Sequence, residues 1–301
     1  MLKLPLISVC IPVYNSAVFT LVHSLFEQAK DLDNKIEIII IDDCSSSDWK
    51  SENKQIDNLC HYFELPRNIG RSRIRNLFLK YAKGESLLFI DGDSEIISNT
   101  FLYDYLQVIE SKNPQVVVGG SVYQTQRPSR SHFLRWKYSV CRESKSADER
   151  EKTNFGFKTN NFLIKKSLFS ETLFNETLSG YGHEDTLFGF QLSSKKIKIQ
   201  HIENPVLNKH LDSNEVFLNK TENAIGNLFQ MYNMSEHFPE IKEIKLIRFF
   251  EKITRLSLIS IVFVLFTFVK PILVNFLKSG YFRLWMFDFY KLGLFIRKIK
   301  S

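Results

Sequence analysis

The first 120 residues alternate between short apolar runs and amphipathic segments. Apolar, β-rich runs predict strands at residues 6–13, 36–41, 61–65, 86–90 and 116–118. Apolar residues with helical spacing predict helices at residues 19–30, 69–81 and 101–111. This alternation predicts an α/β fold, in which a Rossmann-like, mostly parallel sheet carries helices on both faces.

The second half of the chain is less regular. Residues 124–151 are polar and charged, which predicts an excursion or a mobile loop. Further along, the pattern predicts strands at 154–164 and 197–202 and helices at 186–193 and 214–231, with a glycine-rich turn at 180–185. A basic, aromatic tail begins near Glu240, so we expect a catalytic domain at 1–239 and a helical tail at 240–301.

Ligands of parallel sheets bind at the carboxyl ends of the strands, and three polar clusters stand there. The clusters are Tyr14-Asn15, Asp42-Asp43 and Asp91-Gly92-Asp93. Two carboxylates two residues apart suit one divalent cation, whose remaining ligands are usually substrate phosphates and water. Gly92 removes a side chain where a ligand must approach. On spacing alone, a simple strand-to-turn signal explains the triplet equally well.

Asp42 and Asp43 allow two interpretations, a helix N-cap or hydrogen bonds to a base or ribose. Arg71, Arg73 and Arg75 begin a predicted helix, whose positive end and guanidinium groups suit a diphosphate. Arg71 and Arg75 share one face of that helix, whereas Arg73 points elsewhere and is interpreted as a solvated cation.

A second acidic pair, Glu184-Asp185, stands at a glycine-rich helix start. The helix dipole keeps such a carboxylate ionised, which suits a general base that deprotonates a sugar hydroxyl. Alternatively, the two acids stand in the first turn only because they interact favourably with the helix dipole. His210 could complete a metal shell or be an ordinary surface histidine.

Charge is unevenly distributed along the chain. The net charge is +7, and residues 240–301 contribute +8, which leaves the body at about −1. A near-neutral body with a basic, aromatic tail predicts an anionic membrane surface as partner and argues against nucleic acid. Residues 256–269 carry no charge, but a membrane span needs about 20 apolar residues, and Lys270-Pro271 interrupts the run. The alternative is a tail that packs on the domain or forms a dimer.

The four cysteines show no metal-site spacing, so we expect reduced thiols and a cytoplasmic enzyme at the inner face of the cell membrane.

Five motifs in order resemble one family. PVYN, IDDCSSSD, NIGRSRIRN, a strand ending in DGD, and GYGHEDT are similar to family 2 glycosyltransferases of the GT-A fold, of the type that builds bacterial polysaccharides. The resemblance covers residues 5–215. It implies inverting transfer of a sugar from a nucleotide-sugar, expected to be a UDP-sugar, to a glycan or lipid-linked hydroxyl with Mn²⁺ or Mg²⁺ as cofactor.

The resemblance also implies residue roles. The nucleotide would be bound by Pro12, Tyr14, Asn15, Asp42, Asp43, Arg75, Asp91 and Gly92. The metal would be bound by Asp93, Asp91 and His210. The catalytic base would be Asp185, with Glu184 on the acceptor. The donor sugar or acceptor would be lined by Asn160, Asn161, Gly182 and His183.

Two departures from the family pattern concern the metal. Ser94 stands where many relatives carry a further acid, and Asn208 competes with His210 for the late metal-ligand position, where we favour His210. Two other classes fit the acidic strand ends. A sugar-nucleotide nucleotidyltransferase usually shows a glycine-rich, lysine-containing loop after the first strand, which PVYNS lacks. A magnesium-binding, non-enzymatic module would not need Glu184-Asp185.

Overall fold

The computed structural model describes residues 6–152, 157–178 and 180–300. A seven-stranded sheet forms the centre, and a three-stranded sheet lies beside it. The strands are β1 Ile7–Val13, β2 Ile36–Asp42, β3 His61–Glu64, β4 Ser86–Ile90, β5 Ser94–Ile96, β6 Val116–Val118, β7 Ser121–Tyr123, β8 Asn161–Lys165, β9 Ile199–His201 and β10 Val206–Asn208.

The large sheet has the order β3-β2-β1-β4-β8-β6-β9. Its neighbours are parallel, except that β8 runs antiparallel to both β4 and β6. The small sheet has the order β5-β10-β7. The continuous apolar runs of β1, β2 and β4 are explained by burial on both faces of the sheet.

Helices cover both faces. They are α1 Phe19–Lys30, α2 Ser47–Asn53, α3 Arg71–Tyr81, α4 Phe101–Lys112, α5 Phe133–Tyr138, α6 Ala147–Glu151, α7 Lys166–Glu171, α8 Glu184–Ser194, α9 Asn214–Asn233, α10 Lys245–Arg255, α11 Ile259–Ser279 and α12 Leu284–Lys300. One apolar cluster joins the sheet to α1 and α4. Another, rich in phenylalanine, joins it to α3, α7 and α8. The predicted fold class is therefore confirmed.

Residues 124–151 differ from the predicted loop, because they contain α5, a π-helical turn at Ser139–Glu143, and α6. Some of their polar side chains bond to one another and so support helical structure, although much of the segment is exposed. Arg135 lies 2.8 Å from Glu143, and Ser146 with Glu149 forms a capping box at the start of α6.

The strand predicted at 154–164 begins only at Asn161, and its residues 154–156 lie outside the described part of the chain. The last predicted strand is shorter than expected, covering only Ile199–His201.

The tail packs against the body of the protein. Phe250, Phe266 and Phe295 of α10–α12 share an apolar cluster with Phe217 and Leu228 of α9. The boundary at residue 240 stays a prediction. Within the described residues, α11 is the one helix long and apolar enough to cross a membrane, by length and composition only.

Candidate active site

A cavity of about 1,300 Å³ opens at the carboxyl end of β4 and beside the small sheet. Eight of the sequence-predicted residues line it: Asp91, Asp93, Asn160, Gly182, His183, Glu184, Asp185 and His210. The DGD triplet and the GYGHEDT segment are about 90 residues apart in sequence, so the fold has brought the two acidic pairs to one space.

The small sheet explains why Asp93 faces this cavity. The chain turns directly after β4, where the Ser94 amide donates to the Asp91 carbonyl at 3.0 Å, and then enters β5. Strand β10 pairs with β5, placing Asn208 opposite Ser94. Both candidates for the late metal ligand, Asn208 and His210, therefore line the cavity with Asp93. Burial and the neighbouring Asp91 charge raise the pKa of the Asp93 carboxyl, and the positive charge of Arg71 is the main influence that opposes this.

Helix α3 supplies two arginines with different positions. Arg75 is buried, and its Nη2 donates to Asp91 Oδ1 at 2.7 Å. The Arg75 side chain does not line the cavity, whereas its partner Asp91 does, and a position of Arg75 beside the nucleotide stays a prediction. Arg71, one turn earlier, lines the cavity and lies 3.4 Å from Glu184.

Asp43 organises the start of α3. Its Oδ1 accepts from the Ile69 amide at 2.6 Å, and its Oδ2 accepts from the Gly70 amide at 2.9 Å. Gly70 has φ +86°, a conformation that glycine adopts without strain. The nearly buried Asp43 thus holds the loop that aims both arginines. Contact with a base stays a prediction.

Asp42 does not face a ligand, contrary to expectation. It is fully buried, with Oδ1 accepting from the Ser45 amide at 2.6 Å and Oδ2 from the Tyr62 hydroxyl at 2.8 Å. Both oxygens are therefore used inside the fold. Asn15 helps to hold the loop that follows β2, because its Oδ1 accepts from the Ser46 amide at 2.9 Å.

Gly92 lies close to the end of β1. A Cβ there would lie 3.2 Å from Val18 Cγ1, 3.3 Å from the Pro12 carbonyl oxygen and 3.4 Å from Val13 Cγ2. The absence of a side chain therefore allows this packing, and the approach of a ligand to Gly92 stays a prediction. Pro12 lies beside the DGD turn in this way, while Tyr14 is 56% exposed. Their contact with a nucleotide stays a prediction.

Asp185 lies at the start of α8 and pairs with Lys158, whose Nζ is 3.0 Å from Oδ2. Burial favours the neutral acid, but Lys158 and the Thr186 amide outweigh it and hold the pKa of Asp185 below its usual range. The carboxylate is therefore ionised and able to accept a proton. His183, whose φ is +70°, precedes this turn, and burial lowers its pKa to about 4.

Asn160 and Asn161 point in opposite directions. Asn160 lines the cavity. Asn161 does not: it is fully buried, accepts from the Tyr105 hydroxyl at 2.6 Å, and donates to the carbonyl oxygens of Gly120 and Asn204. Asn160 lies in the turn before β8, whereas Asn161 is the first residue of the buried strand. The expected sugar contact of Asn161 is corrected accordingly.

We expect Asn161→Ala to lower the free energy of unfolding by about 2–3 kcal/mol, because it leaves buried partners without hydrogen bonds. Urea denaturation followed by fluorescence measures this. The matched variant Asn160→Ala should unfold like the wild type while altering transfer kinetics. An Asn161→Ala protein of unchanged stability would contradict the buried network.

The sequence interpretation missed a buried cluster on the cavity wall. Arg135 Nη1 donates to Glu143 Oε2 at 2.8 Å, and the Tyr123 hydroxyl donates to the same oxygen at 2.7 Å. Lys158 and Tyr181 were also missed. Tyr123, Arg135 and Glu143 lie within 21 residues of one another in a polar segment whose pattern does not show which side chains become buried, and Tyr181 lies inside the GYGHEDT motif without an assigned role.

The residues present fit a divalent cation only in part. Asp91 and Asp93 offer hard oxygen ligands. Burial, and after it the neighbouring Asp91 charge, raises the pKa of Asp93, so a cation at the pair would favour its ionised form. Among the described residues, however, no group of three His, Cys, Asp or Glu side chains is arranged to hold a metal. A bound cation would therefore need substrate oxygens to complete its shell.

Comparisons with known proteins identify the family of this chain. The model of the glycosyl transferase family 2 matches residues 8–173, more than half of the chain. The putative teichuronic acid biosynthesis glycosyltransferase TuaG of Bacillus subtilis (strain 168) is 34% identical over 96 residues, which is 30% of this chain and 37% of TuaG. The chain thus matches little more than a third of that relative's length.

Solved structures share the fold. The mannosyltransferase PcManGT from Pyrobaculum calidifontis, in complex with GDP-Man and Mn²⁺, matches 99% of this chain and 87% of its own at 14% identity, with a TM-score of 0.62. TarS of S. aureus matches 74% of this chain and 39% of its own at 22% identity, with a TM-score of 0.51. The shared fold agrees with the GT-A fold that the resemblance implied. The chain belongs to glycosyl transferase family 2.

Proposed function

We propose that this protein transfers a sugar, with inversion, from a nucleoside-diphosphate sugar to an acceptor hydroxyl. The observation that carries the proposal is that the strand-end pair Asp91/Asp93 and the helix-start pair Glu184/Asp185 line one cavity. The first pair suits the diphosphate end of a donor, and the second suits proton removal from an acceptor. Family membership supports the same reaction.

In the proposed reaction, Asp185 accepts the proton of the acceptor hydroxyl. The oxygen forms a bond to the anomeric carbon from the face opposite the diphosphate. The bond from that carbon to the diphosphate oxygen breaks, and the oxygen keeps the electron pair. Arg71 adds positive charge on the cavity wall, and Arg75 fixes the orientation of Asp91. No covalent enzyme intermediate is required.

We propose Mn²⁺ or Mg²⁺ as cofactor, held by Asp93 and Asp91 with His210 nearby. When bound, the cation neutralises charge on the leaving diphosphate. Solved relatives support a metal and a nucleotide: PcManGT with GDP-Man and Mn²⁺, and the glucosyl-3-phosphoglycerate synthase of Mycobacterium tuberculosis with UDP and Mn²⁺. We propose a UDP-sugar as donor.

We also propose a cytoplasmic enzyme attached to the inner face of a membrane, with a catalytic domain at 1–239 and a membrane-associating tail at 240–301. An exposed apolar ridge on α11 supports this. It comprises Ile261, Val264, Leu265, Phe268, Ile272 and Phe276. The similarity to TuaG supports a role in cell-surface polysaccharide synthesis, with a glycan or lipid-linked acceptor.

A donor panel tests this function. We expect one of several UDP- or GDP-sugars to bind in a Mn²⁺-dependent manner and to release its nucleotide. Asp93→Asn should weaken Mn²⁺-dependent UDP binding by at least about tenfold, because one charged ligand is lost. Asp104→Asn, an equal charge change on α4 outside the cavity, is the control. Release of pyrophosphate from a nucleoside triphosphate and a sugar phosphate would instead identify a nucleotidyltransferase.

A further inference from the structure

The cavity extends well beyond the acidic pairs. Its volume of about 1,300 Å³ exceeds the roughly 300–1,000 Å³ of most small-molecule pockets, so it has room for a second substrate beside the donor. The outer part is formed by α10 and α12. Lys291 of α12 and His183, two residues from Asp185, both line the cavity, so the two parts belong to one cavity.

Helix α10 presents a basic face to this outer part. Lys245, Arg248, Lys252 and Arg255 are spaced by three or four residues, so they form one stripe, and all four line the cavity. The opposite face of α10, with Ile247, Phe250 and Ile253, is buried in the core. The stripe is therefore fixed in place by the packing of the helix.

The charge of the outer part is predominantly positive. Lys291 and Arg142 join the four cations of α10, and both lie within 3.2 Å of Asp288. The other lining carboxylate, Glu251, lies 3.7 Å from Arg255. Within the described part of the chain, no carboxylate lies within ion-pair distance of Lys245 or Lys252. Arg248 lies 3.9 Å from Glu243, so among the described residues Lys245 and Lys252 are the cations of the α10 stripe without a carboxylate partner.

Apolar side chains accompany the cations. Phe249, Leu256 and Trp285 line the same outer part and are 52%, 57% and 62% exposed. Directly after α10, the chain enters the apolar ridge of α11, where Ile261 is 65% exposed. Cations and exposed apolar groups side by side suit an amphiphile with an anionic head.

We propose that the outer cavity binds an acceptor in which the glycan is joined through phosphate to a long hydrocarbon chain. The phosphate contacts Lys245 and Lys252, the hydrocarbon lies along Phe249, Leu256 and Trp285, and the glycan reaches inward toward Asp185. This assignment rests on the proposed function and specifies its acceptor class.

The test is calorimetric titration with dodecyl phosphate in dodecyl maltoside micelles, with plain micelles and inorganic phosphate as separate probes. We expect saturable binding of dodecyl phosphate, weakened at least about tenfold in Lys245→Gln/Lys252→Gln. The control variant, Lys242→Gln/Arg283→Gln, removes the same charge outside the cavity and should bind like the wild type. All proteins should bind UDP and Mn²⁺ equally.

Equal weakening in the two double variants would overturn the proposal, because it would show general attraction of a basic tail to anions. Inorganic phosphate that binds as tightly as dodecyl phosphate would overturn the hydrocarbon part. Absence of UDP binding by the wild type would instead count against the proposed glycosyl transfer. The result of the micelle titration does not depend on UDP binding, so the two failures can be told apart.

Discussion

Asp185→Asn should lower kcat for glycosyl transfer by about 10²- to 10⁴-fold, the usual contribution of a general base. Asparagine keeps the size of the side chain but cannot accept the proton of the acceptor hydroxyl. Donor binding should be unchanged, because Asp185 pairs with Lys158 rather than with Asp91 or Asp93. Steady-state transfer and UDP titration measure the two quantities separately.

Two comparisons sharpen this test. Loss of UDP binding in Asp185→Asn would show that the residue belongs to the donor site and not to the base. Lys158→Met should retain activity but move the acidic limb of the kcat/KM profile to higher pH. The Lys158 ammonium lowers the pKa of Asp185, so without it the carboxylate becomes protonated at a higher pH. An unmoved acidic limb would contradict Asp185 as the base.

Arg75→Met should lower the free energy of unfolding by about 1.5–3 kcal/mol, the usual contribution of a hydrogen bond to a charged group. The Arg75 side chain is 3% exposed, whereas that of Asp91 is 27% exposed and lines the cavity, so the remaining carboxylate keeps part of its solvation. Urea denaturation followed by tryptophan fluorescence measures the change.

Arg73→Met is the matched control on the same helix. Arg73 is 56% exposed and lies 3.4 Å from Glu176, so its loss should cost less than about 1 kcal/mol. The double variant Arg75→Met/Asp91→Asn should recover part of the stability, because no uncompensated charge remains. Equal effects of Arg73→Met and Arg75→Met would refute a special role for the Arg75–Asp91 pair.

The sequence predicted most of the first half of the fold. Helix α1 and strands β4 and β6 have the predicted bounds. Local periodicity suffices there, because each element buries one face or both against the same sheet. The loop predicted at residues 124–151 was wrong, because helices form there. Pairs such as Arg135–Glu143 support them, and the periodicity of the sequence does not reveal such pairs.

The candidate site was predictable in its chemistry but less so in its geometry. Asp91, Asp93, Glu184 and Asp185 were named from their strand-end and helix-start positions, and all four line the cavity. Asp42 was named by the same reasoning, yet both of its oxygens accept hydrogen bonds within the fold. A carboxylate at a strand end can bind a ligand or cap a turn, and sequence does not distinguish these uses.

The sequence by itself determined the class of fold, the family, and which acids stand at strand and helix ends, because each depends on residues close together in the chain. Only the tertiary structure decided which of those acids face open space, that Arg75 serves Asp91, and that Asn161 faces inward. It also placed the basic stripe of α10 on the wall of the cavity that Asp185 lines. These facts depend on packing between segments distant in sequence, which no local pattern records.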